Sequence, residues 1–236
     1  MLDQPASRPL PALQADAAAL LARLEKPAIP ASPPLCPAPP LALARGRVHE
    51  LTGPARRTLA ALLAGAAQAE GPVLWLRAAW RSERLCPQGL RGLADPGALI
   101  TLNCPRAGDV LWCMEEALRA GCVALVVAEI SVPPDLRQLR RLHLAAAEGV
   151  ARNRNGMRND GRSSVGPTLA PLGLLLDDDR ADSQMAGVES RWSLHPLPAD
   201  TAVWRLERRH ARAQPPAQWW LHLEANAPRI TASEPG

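Results

Sequence analysis

The chain has no phenylalanine and no tyrosine among its 236 residues, so its seven tryptophans are the only large aromatic rings. Proteins that hold single-stranded nucleic acid without sequence preference stack bases on such rings, and most of those platforms are missing. Lysine is nearly absent too. Lys26 is the single copy, and the formal net charge of +4 rests on arginine. Arginine in place of lysine, with abundant Ala and Pro, is the mark of a GC-rich genome, and charge alone does not imply nucleic-acid binding. No apolar run approaches the roughly 20 residues that span a membrane. The opening MLDQPASRPL lacks a basic region leading into an apolar stretch, so no secretory signal is expected and a cytoplasmic location is. The cysteines (Cys36, Cys86, Cys104, Cys113, Cys122) are odd in number and none forms C-x-x-C. Reduced, structural thiols follow.

What is present suits one α/β domain with tails. Residues 1–11 read as disordered. Leu13, Ala17, Leu20, Leu21 and Leu24 fall at helical spacing and predict an amphipathic helix over 12–26. Pro27 ends it, and Pro30, Pro33, Pro34, Pro37, Pro39 and Pro40 predict an extended linker over 27–45. The core, 46–224, then alternates. Strands are predicted over 48–51, 73–77, 99–103 and 123–129, and helices over 57–68, 109–120 and 134–148, the last ending at Gly149. Near-continuous apolar strands separated by helices predict a mostly parallel twisted sheet with helices on both faces. The stretch 151–168 is polar, with four arginines, and reads as a flexible basic insertion. A strand over 172–176 follows. The runs 190–197, 202–209 and 218–224 have no helix between them and predict an antiparallel C-terminal strand extension. Residues 225–236 read as a polar tail.

The segment 53–63, GPARRTLAALL, has the setting of a phosphate-binding loop: an apolar strand, a Gly-Pro turn, then a helix. A working loop reads G-x-x-x-x-G-K-[ST], so that backbone N–H groups wrap the phosphates and the lysine neutralises them. Here the second glycine and the lysine are missing, and the turn is roughly three residues shorter. Gly53, Arg56, Arg57 and Thr58 are the remnants. They supply charge without a cradle.

Segment order and spacing resemble a RecA-type core over 46–224: HELTGP at the loop strand, VLWLRAAW at the second strand, LITLNCP at the third, then EEALRAGCVALVVAE and LGLLLDD. Within that superfamily the chain is most similar to the ImuA family, through EEALRAGCVALVVAE, PPDLRQLRRLHLAAAEG, GVESRW and the late WRLERRHAR and PPAQWWLHLE. The resemblance implies an accessory protein of bacterial SOS mutagenesis. Its implied partners are an ImuB-like inactive Y-family polymerase homologue, an error-prone replicative-type polymerase, and RecA itself.

It also permits a test of catalysis by position. RecA-type ATPases need the loop Lys and Thr, an acid after the second strand, and an Asp ending the Walker B strand. Here Thr58 survives, the second-strand acid reads Ala79, and Ala128 stands where the Walker B Asp belongs. Glu129 lies one residue along, which predicts that it points to the opposite face. The phosphate-sensing position falls near Asp177, inside a run of three aspartates. These losses remove independent parts of one mechanism, so no catalytic residue and no cofactor is expected. The DNA-binding loops of RecA correspond to 131–135 and 180–187, both short. The first has no base-stacking residue, and the second balances Arg180 with Asp182. The alternatives are a SulA-like cell-division inhibitor binding the tubulin-like division protein, and an NTPase with an unconventional loop.

Elsewhere, the run Asp177, Asp178, Asp179 reads as solvated loop rather than a metal site, since consecutive strand residues point to different faces. His143 reads as a solvent-edge helical histidine. In 204–212, Arg205, Arg208, Arg209 and Arg212 form a basic stretch suited to an acidic protein surface or DNA phosphates. Trp219 and Trp220 are consecutive, so one is expected outside, and an exposed Trp beside Arg is favoured at binding hot spots. These six residues are the expected partner site.

Overall fold

The computed structural model describes residues 32–159, 170–177, 185–197, 203–224 and 227–232. The helix expected over 12–26 and the disorder expected over 1–11 lie outside them. Among the described residues, eleven strands and four α-helices run in the order β1 (Leu35–Ala38), β2 (Leu41–Leu43), β3 (Val48–Thr52), α1 (Arg56–Gln68), β4 (Val73–Ala78), α2 (Pro87–Leu90), β5 (Leu99–Cys104), α3 (Ala107–Ala120), β6 (Leu125–Ile130), α4 (Leu136–Asn159), β7 (Leu172–Asp177), β8 (Ser190–Pro196), β9 (Val203–Ala211), β10 (Ala217–Glu224) and β11 (Ala227–Thr231). Nine strands form one sheet in the order β11-β10-β9-β8-β3-β7-β6-β4-β5. The six from β8 to β5 run parallel, and β9, β10 and β11 add antiparallel. The expected mixed α/β architecture is thus present, with one refinement. The 190–197 run is not wholly part of the antiparallel extension, because β8 pairs in parallel with β3 and antiparallel only with β9.

Burial on both faces explains the apolar strands. Every residue of β6 and β7 is buried. One face packs on α1, whose Leu59, Leu62, Leu63 and run of alanines meet Leu125, Val127, Leu174 and Leu176. The other face packs on α3 and α4 through Val110, Met114, Leu118, Leu139 and Leu142 against Val126, Ala128 and Leu175.

Three boundaries differ from expectation. The Pro-rich stretch is not a linker throughout, because β1 and β2 form an antiparallel hairpin whose Leu35, Leu41 and Leu43 are buried in the α1 core. Alternate apolar positions supply the strand period, and the prolines sit at and around the turn, where missing N–H donors cost little. The helix expected to stop at Glu148 runs on to Asn159, so the first half of the supposed insertion, 151–159, is helical. Gly149 does not end the helix. A Cβ there would lie 2.1 Å from the Leu118 carbonyl oxygen, so the glycine permits close contact between α4 and the end of α3. Finally, 227–231 is no polar tail but the edge strand β11 on β10.

Buried polar pairs fix the register of the β3–β8 junction. Glu50 and Arg191 are Cα partners, and Arg191 donates from Nε to the fully buried Glu50 carboxylate and from Nη2 to the Met185 carbonyl. On the opposite face, His49 Nε2 lies 2.9 Å from the Ala44 carbonyl oxygen, which only accepts, so the ring proton is on Nε2. Nδ1 therefore accepts from the Ser190 hydroxyl at 2.7 Å, and Ser190 Oγ accepts from Trp192 Nε1 at 3.0 Å. Each hydrogen-bonding group in this buried chain is satisfied. Burial, ahead of nearby charges, lowers the His49 pKa to about 4.

Candidate functional site

The phosphate-loop remnant lies between the C-terminal end of β3 and the start of α1. Gly53 has φ +88, and a Cβ there would lie 2.6 Å from the Leu194 carbonyl oxygen, so the turn is pressed against β8. The Ala55 N–H donates to that same Leu194 oxygen at 3.1 Å, and the Arg56 N–H donates to Gly53 O at 3.2 Å. Two amides that a working loop would offer to phosphate are already engaged. The Arg56 guanidinium also folds back, donating to Gly53 O at 3.3 Å. Thr58 is half-buried in the first turn of α1.

Arg57 occupies the loop's cationic position and is committed to a carboxylate. Its Nε donates to Glu129 Oε1 at 3.1 Å and its Nη2 to Oε2 at 2.7 Å, a two-point pairing suited to guanidinium and carboxylate geometry. Trp75 Nε1 also donates to Glu129 Oε1, at 2.9 Å. Glu129 is 4% exposed, and Glu83 lies 3.8 Å from the Arg57 Nη2. The expectation that Glu129 faces away from the loop helix is therefore wrong. Leu125 and Val127 pack on α1, so period-2 alternation puts Glu129 on that face, while Ala128 packs on the α3–α4 side. The acid reaches the position where a metal-binding carboxylate would be useful, but it is held by an arginine and an indole. Nearby, Arg77 is buried, with Nη2 donating to the Arg81 carbonyl. Ala79 is exposed and carries no acid.

The first loop that would contact DNA closes on itself. The Gln138 N–H donates to Asp135 Oδ1 at 2.7 Å and the Asp135 N–H to Gln138 Oε1 at 2.9 Å, which caps the start of α4. Asp177 is buried, and neither carboxylate oxygen has a hydrogen-bond partner among the described residues. Asp178 and Asp179 lie outside the described residues, as does most of the second loop. Among the described residues no group of three His, Cys, Asp or Glu side chains could hold a metal ion. Burial, with Cys113 beside it, pushes the Cys104 thiol up to about 12, so it stays protonated and unreactive. No helix of the described residues is long and apolar enough to cross a membrane.

The six residues expected to form a partner site divide. Arg208 is buried, with its Cζ 5.7 Å from the Trp192 ring centroid and 5.0 Å from that of Trp219. Its Nε donates to the Pro215 carbonyl at 3.1 Å and its Nη1 to Gln214 Oε1. Desolvation lowers its pKa. Trp219 is half-buried, its ring stacked 5.9 Å from that of Trp192, and Trp220 is buried, so neither is the exposed anchor expected. Adjacent strand residues do face opposite ways, but here both faces are covered. Arg205 is half-buried and pairs with Glu207 at 2.9 Å. Arg209 is exposed as the extra residue of a β-bulge, and Arg212 is exposed beyond the strand, 3.5 Å from Glu189. Replacing Arg208 by Met is expected to cost about 1–2 kcal/mol through lost hydrogen bonds and cation–π contact, read as a lower urea midpoint. An unchanged midpoint would remove Arg208 from the fold's support.

His143 also differs from expectation. Its Nδ1 accepts from the Val48 N–H at 3.3 Å, so the proton lies on Nε2, which donates to the Gly187 carbonyl at 3.1 Å. The ring ties α4 to β3 and to the turn before β8. Burial is the first cause lowering its pKa, so it is held neutral. The Arg57–Glu129 pair, the His49 chain and the Glu50–Arg191 pair were not anticipated. For Glu129 the signal was available, since it continues the alternation of Leu125 and Val127.

No protein-family model matches the chain, and no curated protein matches it. Among solved structures it is similar to the RadB recombinase, with a TM-score of 0.52 and 14% identity, over 80% of this chain and 92% of that one. At that identity the likeness is one of fold. Together with strand order, helix placement and the loop remnant, it defines a RecA-like fold.

Proposed function

We propose that the chain is a non-catalytic RecA-fold adaptor in DNA-damage tolerance, acting by protein contact in error-prone translesion synthesis, as its resemblance to the ImuA family implies. One observation carries the non-catalytic part. The space that phosphate and metal would need between loop and Walker B strand holds the Arg57–Glu129–Trp75 cluster, with each Glu129 oxygen engaged. A phosphoryl-transfer site works through groups aimed at the phosphates. Here those groups are aimed at each other.

The adaptor part draws support from the surface. The edge strand β5 carries no charged residue, and its Ile100 and Leu102 are exposed, as is Trp112 on the neighbouring α3. Uncharged apolar edges of this kind recruit further protein. The partners proposed are an ImuB-like inactive polymerase homologue, an error-prone replicative-type polymerase, and RecA. Affinity purification of the tagged chain from DNA-damaged cells tests this. Recovery of polymerase subunits supports the reading, whereas recovery of the tubulin-like division protein without them replaces it with the SulA-like alternative.

A further inference from the structure

One cleft stands apart from the loop remnant and unites residues distant in sequence. It is an open cleft of about 480 Å³ where α4 meets the turns flanking β3, β8 and β9, lined by Arg47, Leu136, Arg140, His143, Gly187 and Arg212. Of the three guanidiniums lining it, two share one carboxylate, since Glu189 Oε2 lies 3.4 Å from Arg47 Nε and 3.5 Å from Arg212 Nε. His143 is held neutral and adds no charge. Arg140 is exposed and makes no ion pair among the described residues. Among the described residues the cleft therefore carries more positive charge than Glu189 balances.

It also has an apolar margin. Leu136, Arg140 and Leu144 are spaced i, i+4, i+8 and so form one stripe along α4. Leu136 is 64% exposed and Leu144 55%, which is unusual for neighbouring leucines on a helix face. Phosphates would use the arginines, but nucleic acid has little use for two aliphatic side chains, and among the described residues the only ring lining the cleft is the His143 imidazole, already tied to Val48 and Gly187. A protein segment carrying both carboxylates and aliphatic side chains satisfies every feature.

We propose that this cleft is the docking site for an acidic segment of a partner protein, its carboxylates meeting Arg47, Arg140 and Arg212 and its aliphatic side chains covering Leu136 and Leu144. The inference rests on the adaptor reading and gives it a surface. Of the six residues expected from sequence to meet a partner, it retains Arg212.

The test uses the whole chain and a fluorescein-labelled peptide of glutamates flanking a central Leu-Leu pair, read by fluorescence anisotropy. Controls are the same peptide with Gln for Glu, the same with Ser for Leu, and a labelled oligothymidylate. Saturable binding of the Glu–Leu peptide is expected, weakened about tenfold by Arg140→Glu with Arg212→Glu, and about tenfold by Leu136→Ser with Leu144→Ser. All four positions are exposed, so the variants should keep the wild-type urea midpoint. Three results overturn the proposal: no saturable peptide binding, binding that ignores the leucine variants, or oligothymidylate that binds more tightly and is lost with the same arginines. Failure here leaves the closed nucleotide site untouched. Conversely, ATP binding by the wild-type chain would sink that reading without altering the peptide result.

Discussion

Arg57→Met is expected to destabilise the fold by about 3 kcal/mol, because it leaves Glu129 buried without its charge partner. The reverse change should cost less. In Glu129→Leu the Arg57 side chain, about a third exposed, still reaches water and Glu83, so the loss is mostly the Trp75 N–H partner, about 1–2 kcal/mol. The double variant removes both charges at once and should be more stable than Arg57→Met alone, by about 1–2 kcal/mol. Urea unfolding of the four proteins supplies the cycle. A strong coupling with this asymmetry means that the two residues have become a structural unit. Additive losses would mean that the pair contributes nothing as a pair, and the closed-site account would lose its physical basis.

The second large effect is a dependence of stability on pH. His49 has its folded pKa lowered from 6.5 to about 4, so the folded state resists protonation that the unfolded chain accepts. Its contribution is fully present above pH 6.5 and is lost as pH falls from 6.5 toward 4. Between pH 7 and pH 5 the loss should be about 2 kcal/mol, in a range where ordinary carboxylates remain mostly ionised. Protonation would put a proton on Nδ1, where the Ser190 hydroxyl now donates, and would force that hydroxyl to turn from its bond to the ring. Urea midpoints at the two pH values measure the slope. His49→Gln retains an amide donor for Ala44 O and an acceptor for Ser190, and should flatten most of it. His143, also lowered chiefly by burial, contributes in the same direction, so His143→Gln should remove part of what remains. An unchanged slope in His49→Gln would show that the His49–Ser190–Trp192 chain does not hold the imidazole neutral.

Much of the architecture was legible because periodicity is a local property. Strands β3 to β7 and helices α1 and α3 lie where apolar spacing put them, within a residue or two. The misplaced boundaries share a cause: a residue with a local meaning is used for a distant contact. Gly149 reads as a helix stop, yet the Leu118 carbonyl, far along the chain, is what needs the missing Cβ. The prolines around Leu35 and Leu41 read as a linker, yet the α1 core supplies a surface on which a short hairpin can bury its leucines. Polar residues 227–231 read as a tail, yet an edge strand needs only one neighbour.

The site was legible in its losses and not in its replacement. The missing glycine and lysine and the alanines at 79 and 128 stand in the sequence itself. That Arg57 and Glu129 meet depends on their sharing one face of the sheet. Alignment to a family motif put the acid at the wrong face, where alternation with Leu125 and Val127 would have put it at the right one. The same limit applies to Arg208 and Trp219. Their composition suggested a partner site, but side chains that stack on one another present little to a partner.

The central claim is that the loop remnant is a fold signature closed by an internal ion pair. Titrating Mg²⁺-ATP into the purified chain in a calorimeter, with hydrolysis followed by phosphate release, tests it most directly. The account predicts no saturable heat and no phosphate released above buffer. Saturable ATP binding with hydrolysis, both abolished in Arg57→Ala while the fold persists, would contradict it and make the chain an NTPase with an unconventional loop.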